Sequence, residues 1–337
     1  MNSFTRIILV AGMLLACVCG ALADNFGTGG NQFTIDFVPI SGDASSANGT
    51  NISTYPPGHT LYKTFTDPGN DYRMGTFEIT NNQWDKFQAE LGVPVTGDPS
   101  SAYNESPTYT GTNVPLNEVS WYEAAQFVNW LNTSTGHQAA YKFTGTQGHD
   151  ENDPDPYTLD TWDAAEADNG TNLYRHKDAF YYMPTEDEWV KAGYWNGTSI
   201  QTYATKPGET LHQGDGVSGT GWNYWDDGYV TDPSGPWNVG SGSEELNGTF
   251  DMMGNLWELM ESPHNHPAYG TGSNRGLRGG AYDSDYGSSL KSSVRSHLYP
   301  DYEFADTGFR VASEVPEPTT FSLLALGGLA LVRRRRG

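Results

Sequence analysis

Three times the chain sets Ser or Thr three residues ahead of Glu or Gln, at the mouth of an apolar-periodic run. The sets are Thr80-Asn81-Asn82-Gln83, Ser120-Trp121-Tyr122-Glu123 and Thr185-Glu186-Asp187-Glu188. In such a box the first hydroxyl accepts the N–H of the fourth residue, whose side chain accepts the N–H of the first. Each set therefore predicts a helix start. The first predicts a helix over Asn81–Leu91 that buries Trp84 and Phe87 and closes at Gly92. The second places Ala124, Phe127, Val128 and Leu131 on one face and stops by Gly136. The third runs through Trp189 and Ala192. On this reading Glu123 and Glu188 are caps rather than catalysts.

Little else is helical. Residues 32–40 (QFTIDFVPI) and 72–79 (YRMGTFEI) read as strands. Residues 41–70 are a Gly/Ser/Pro-rich loop, and 206–248 are rich in Gly, Asp and Trp without a period. A compact domain keeps such long loops for a reason, commonly metal binding or a contact surface. The acidic stretch 148–169 offers Asp150, Asp153 and Asp155, but without the Gly and the terminal Glu of an EF-hand loop, so it reads as a solvated loop. With 40 Gly, 10 Trp, 20 Tyr and 14 Phe, the chain is a folded, loop-rich α+β protein rather than a disordered one. No repeat of 20–50 residues and no second core are evident, which predicts one globular domain.

The charge excludes several functions. Of 337 residues, 18 are basic and 41 acidic. Five of the basic residues (Arg6, Arg333, Arg334, Arg335, Arg336) and one acid (Glu317) lie in the end segments, so the core carries about −27. Nucleic acid is excluded as a partner, because it demands a basic footprint. An anionic membrane surface is excluded by the same sign. Both cysteines, Cys17 and Cys19, sit in an apolar N-terminal run that follows Arg6 and ends in Ala21-Leu22-Ala23. That is the pattern of a signal peptide cut before Asp24, although Leu14-Leu15-Ala16-Cys17 loosely has the form of a lipoprotein box. A mature chain from Asp24 has no disulfide, no zinc thiolate and no cysteine nucleophile.

The C-terminus reads Pro316-Glu317-Pro318, a short apolar run, then Arg333-Arg334-Arg335-Arg336. Twelve apolar residues from 321 to 332 fall short of the roughly 17–25 that span a bilayer comfortably. The three ordered parts resemble the PEP-CTERM sorting signal. That resemblance implies processing by signal peptidase and an exosortase, and delivery to the bacterial cell envelope, surface or matrix. Membrane contact is then expected only through this tail. Domains are expected at 1–23 (signal peptide), 24–314 (globular domain) and 315–337 (sorting tail).

Five further segments stand in order: TFEITNNQWDKF from Thr76, PLNEVSWYEAAQFVNWL from Pro115, YYMPTEDEWVKAGYW from Tyr181, GTFDMMGNLWELM from Gly248, and LRGGAYDSDYGSSLKSSVR from Leu277 with GFRVA ending at Ala312. Together they resemble the formylglycine-generating enzyme, or sulfatase-modifying factor, family. The resemblance implies a C-type-lectin-like α+β fold with many ordered loops. It also implies an oxidase that holds copper on two cysteines after an RGG motif, here Arg278-Gly279-Gly280. The first cysteine position falls on Ser284, the second between Gly287 and Ser289, and the family serine on Ala281. A hydroxyl cannot replace a thiolate as a soft ligand for Cu(I), so copper is not expected.

The resemblance implies calcium instead. Asp251 and Glu258 with the carbonyls of Gly254 and Leu256 match one family site. Asn223 with the Tyr224 carbonyl, and Asp227 with the Tyr229 carbonyl, match a second. The alternative on the residues alone is that Asp251 caps local amides and Glu258 pairs with an arginine; calcium is the preferred reading at this site. His264-Asn265-His266 offers two imidazoles without a third ligand, and Ser284, Asp283 and His297 lack a nucleophile-elbow pattern. The resemblance also implies that the segment after RGG lies on the exposed ligand face. Ala281, Tyr282, Asp283, Ser284, Asp285, Tyr286 and Ser289 are the expected cleft residues, followed by Tyr299, Asp301, Tyr302, Glu303 and Phe304. Tyr and Ser make adaptable contact surfaces. The expected function is a calcium-stabilised binder of peptide or glycan without formylglycine-generating activity. An oxidase using other ligands, or a structural surface component, is the alternative.

Overall fold

The structure is a computed structural model that describes residues 22–91, 108–145, 157–226, 234–265 and 268–316. Thirteen strands are described: β1 (Leu22–Phe26), β2 (Phe33–Ile40), β3 (Tyr72–Gly75), β4 (Lys142–Gly145), β5 (Tyr157–Asp160), β6 (Ala167–Asp168), β7 (Asn172–His176), β8 (Tyr181–Tyr182), β9 (Trp257–Pro263), β10 (Arg275–Arg278), β11 (Ser296–Leu298), β12 (Thr307–Gly308) and β13 (Ala312–Glu314). Three α-helices accompany them: α1 (Asn81–Leu91), α2 (Trp121–Ser134) and α3 (Glu186–Tyr194). The fold is α+β with many ordered loops.

All three capping boxes close as their chemistry requires. Gln83 Oε1 accepts from Thr80 N–H at 2.8 Å, and Thr80 Oγ1 accepts from Gln83 N–H. Ser120 and Glu123 do the same for α2, and Thr185 and Glu188 for α3. Each box satisfies backbone donors that a buried helix start would otherwise leave open. Along β2 the side chains of Phe33, Ile35 and Phe37 are buried and those of Thr34 and Asp36 exposed, the alternation of a half-buried strand. The strand expected over 72–79 stops at Gly75. There the backbone turns to Val311: Gly75 N–H donates to the Val311 carbonyl, and a Cβ on Gly75 would lie 2.8 Å from that oxygen. The acidic stretch expected to be loop contributes β5 and β6; Asp150, Asp153 and Asp155 lie outside the described residues.

One sheet runs β1-β2-β3-β13-β8, every neighbouring pair antiparallel. It brings the start and the end of the domain side by side. A second sheet runs β11-β10-β9-β12. Helices α1 and α2 pack Trp84, Phe87, Phe127 and Trp130 against Phe26 and Phe33 of the first sheet. Helix α3 places Trp189 and Tyr194 in a second cluster with Met252, Met253 and Met260. The turn that enters β9, the loop that leaves β10 and the loop between β11 and β12 therefore hang on rigid supports, and they build the sites below.

Candidate ligand face and acidic turn

Arg278 ends β10 and is fully buried. Its guanidinium pairs with Glu186 at 2.7 Å and donates to the carbonyls of Ile52, Ser292 and Val294. Burial alone would raise the Glu186 carboxyl. The guanidiniums of Arg278 and Arg295 override it and hold it at about 2. Gly279 and Gly280 then take left-handed backbone, and a Cβ on Gly280 would meet Leu290 Cδ2 at 2.7 Å. The RGG motif is thus an anchored hairpin bend that launches the next loop at a set angle.

That loop presents the expected cleft residues in two layers. Ala281, Tyr282 and Ser284 are buried: Ala281 N–H donates to Ser284 Oγ at 2.9 Å, and the Tyr282 and Tyr109 hydroxyls lie 3.0 Å apart. Burial, the Tyr109 hydroxyl and nearby acids push the Tyr282 phenol well up. Asp283, Asp285 and Tyr286 are exposed, and Ser289 is half-buried. Tyr286 adopts a positive φ of 54°, unusual for a bulky residue, and its ring packs 5.7 Å from Trp225. Ser284 Oγ is engaged by Ala281, and the His297 ring lies tilted by 31° against His264, centroids 4.6 Å apart. His266 lies outside the described residues.

A second loop, 299–306, borders the first. Glu118 N–H donates to the Phe304 carbonyl, Trp257 N–H to the Asp306 carbonyl, and the Asp306 carboxyl is raised by burial and then by Asp283 and Glu118. Tyr299 and Tyr302 rings are 5.1 Å apart, and Tyr302 and Phe304 6.4 Å. Beneath them Glu123 faces Glu303; burial and that second carboxyl push Glu123 well above the usual range. Tyr286, Tyr299, Tyr302 and Phe304 are 58, 52, 49 and 48% exposed. Among the described residues only Val217 and Val315 are other large apolar side chains so exposed, so the aromatic exposure is concentrated on these two loops.

The turn 251–258 lies behind this face. Asp251 has φ 62° and its Oδ2 accepts from Gly240 N–H at 2.7 Å. Glu258 is fully buried and accepts from both Arg310 Nη2 (2.5 Å) and Nε (2.7 Å), and from Trp189 Nε1 (2.8 Å). Two acids that the sequence reading missed join this turn. Glu78 accepts from Asn255 Nδ2 and Leu256 N–H. Glu245 accepts from Thr249, Met252 and Met253. Burial pushes Glu245 up to about 8 and Asp251 up to about 6, and raises Glu78 well above the usual range. No periodicity marks Glu78, Glu245 or Arg310 in the sequence; only the fold brings them together.

Whether calcium fits differs between the two expected sites. Glu258 already holds three donors, two of them from a guanidinium, so it does not fit as a free ligand. Asn223 fits: its Oδ1 is buried and without a hydrogen-bond partner among the described residues, while its Nδ2 donates to Gly235 and Asn255. The two segments touch, with Asn255 N–H on the Asn223 carbonyl and Gly254 so close that a Cβ there would sit 2.1 Å from it. Asp227 and Tyr229 lie outside the described residues. Among the described residues no three His, Cys, Asp or Glu side chains gather closely enough to hold a metal by themselves.

An α+β scaffold of short strands, an anchored RGG bend and two loops carrying exposed aromatics define a C-type-lectin-like protein. The chain belongs to the sulfatase-modifying factor enzyme 1-like domain family, whose profile matches residues 54–315. A PEP-CTERM protein-sorting motif matches residues 314–336 and marks an exported, surface-associated bacterial protein. The chain is similar to chaperone protein LppX of Paenibacillus barcinonensis, 24% identical over 289 residues that cover 81% of this chain and 87% of that one. Its fold is similar to Treponema denticola variable protein 1 (20% identity, 88% of this chain and 100% of that chain, TM-score 0.55). It is also similar to PvdO from Pseudomonas aeruginosa (16% identity, 87% and 98%, TM-score 0.52).

Proposed function

We propose that the protein is an exported binding module without formylglycine-generating activity. Its ligand, peptide or glycan, would dock on the face formed by the loops 281–289 and 299–306. The observation that carries this reading is the concentration of exposed aromatics there, on loops tied down by Arg278, Glu118 and the Tyr109–Tyr282 pair. Exposed aromatics on a rigid base give contact area at small cost in entropy. Tyr286, held at positive φ, adds a strained residue at the same face, a common companion of function. The relative described as a chaperone protein agrees with a polypeptide ligand.

The missing thiols support the proposed lack of oxidase activity. Ser284 and the segment up to Ser289 carry no thiol, and both cysteines of the chain precede residue 20. Calcium belongs to the proposal as a loop-ordering ion. Asn223 with the Tyr224 carbonyl, completed by Asp227 and the Tyr229 carbonyl, is the set whose open oxygen supports it. At the other turn Asp251 with the Gly254 and Leu256 carbonyls would add oxygens to that ion, while Glu258 stays with Arg310 and Trp189. Signal peptidase and exosortase would process the two ends.

The test is an array of peptides and envelope polysaccharides probed with the purified protein and with Tyr302→Ala/Phe304→Ala. We expect at least one ligand class bound by the first and lost, tenfold or more, by the second. Turnover of a cysteine peptide in the presence of copper would sink this reading, as would an array with no ligand at that face.

A further inference from the structure

The chemistry around the aromatic patch has one sign. Beside Tyr299, Tyr302 and Phe304 stand Asp301 and Glu303 within the same loop, and Asp283 and Asp306 join the patch to the loop after RGG. Glu118 borders it from the segment before α2. No Lys or Arg occurs at 108–118, 281–290 or 296–309. Of the cations flanking these loops, the arginines are withdrawn into the interior, Arg295 and Arg278 onto Glu186 and Arg310 onto Glu258, and Lys291, just past the first loop, is half-buried. Ring faces carry partial negative charge and attract cations, most strongly where carboxylates share the site.

We propose that the face accepts a Lys- or Arg-bearing peptide segment of another protein. This rests on the binding reading above and names its ligand class. The cationic heads would sit over Tyr299, Tyr302 and Phe304 and be drawn in by Asp283 and Asp301, while an anionic chain would be repelled. Aromatic area supplies contact for the aliphatic stems of Lys and Arg, which bury along apolar surface while the charged head stays wet. The core charge of about −27 steers such a ligand from a distance, in a salt-dependent way.

A fluorescein-labelled decapeptide of alternating Lys and Gly is titrated by anisotropy, beside the matching Ser-Gly and Glu-Gly peptides and a glucosamine oligomer. The expected result is tenfold or greater preference for the Lys peptide, weakening as salt rises. Tyr302→Ala/Phe304→Ala and Asp283→Asn/Asp301→Asn should each lose about tenfold while melting temperature holds. Lys-peptide binding that is unchanged in Tyr302→Ala/Phe304→Ala would overturn the proposal, since charge alone would then explain it. Preference for the glucosamine oligomer, or for neutral or acidic ligands lost by the same variant, would overturn it too while leaving the binding module intact. No ligand of any class at this face would overturn both.

Discussion

Single residues here are set by what surrounds them more than by their type. His264 is buried, and both ring nitrogens lack a hydrogen-bond partner among the described residues. Burial, then Arg295, lowers it from 6.5 to about 4. A base whose folded pKa lies below its unfolded one binds fewer protons when folded. Its stabilising effect is therefore full above about 6.5 and is lost as pH falls toward about 4. His264→Phe keeps a flat ring and abandons no hydrogen bond. We expect its melting temperature to fall less than that of the parent between pH 6.5 and 4; parallel curves would refute the assignment. Glu258 shows the same lesson from the opposite side. Either an ion pair or a metal satisfies a buried carboxylate, and the sequence offered both.

At the scale of elements, the helices owe their starts to side chains on the chain itself. Ser120 Oγ accepts from Glu123 N–H, and Thr185 Oγ1 from Glu188 N–H, in buried or half-buried surroundings. Ser120→Ala and Thr185→Ala should each cost about 1 kcal/mol, read as a lower urea midpoint at unchanged slope. Glu188 does more than cap, since Arg175 pairs with it at 2.8 Å and with Glu261 also at 2.8 Å. A loss well beyond that of Ser120→Ala in Glu188→Ala would follow, because Arg175 is then left half-paired in the interior. These helix starts were legible because a capping box is local: four consecutive residues hold the whole hydrogen-bond pattern. The end of β3 was not, because Gly75 stops the strand through Val311, far along the chain.

For the molecule as a whole, the order of its loops is the open thermodynamic question. Glu78, Glu245, Asp251 and Glu258 gather around one guanidinium, Arg310, so the interior behind the face has more carboxyl than cation. A divalent ion at the touching segments 223–224 and 251–256 would offset that excess. If calcium binds only the folded protein, 100 times its Kd adds about 2.7 kcal/mol of stability. The expected reading is a melting temperature raised by several degrees in calcium, reversed by EDTA, and a smaller rise in Asn223→Ala. A melting temperature indifferent to both reagents would remove calcium from the proposal.

Local chemistry was readable in advance: three capped helices, the β2 alternation, the missing thiols and the sign of the charge all follow from neighbouring residues or from simple sums. The family motifs carried the fold: Gly279 and Gly254 allow close backbone approaches to Met252 and Asn223, and Gly280 leaves room for the Leu290 side chain, all three at positive φ. The acid cluster was decided in three dimensions. Glu78 reaches Asn255 across 177 residues, and Arg310 reaches Glu258 across 52. No window of sequence contains such a pair, and burial, which raises the carboxyls of Glu78, Glu245 and Asp251, exists only once the sheets and helices have closed around them.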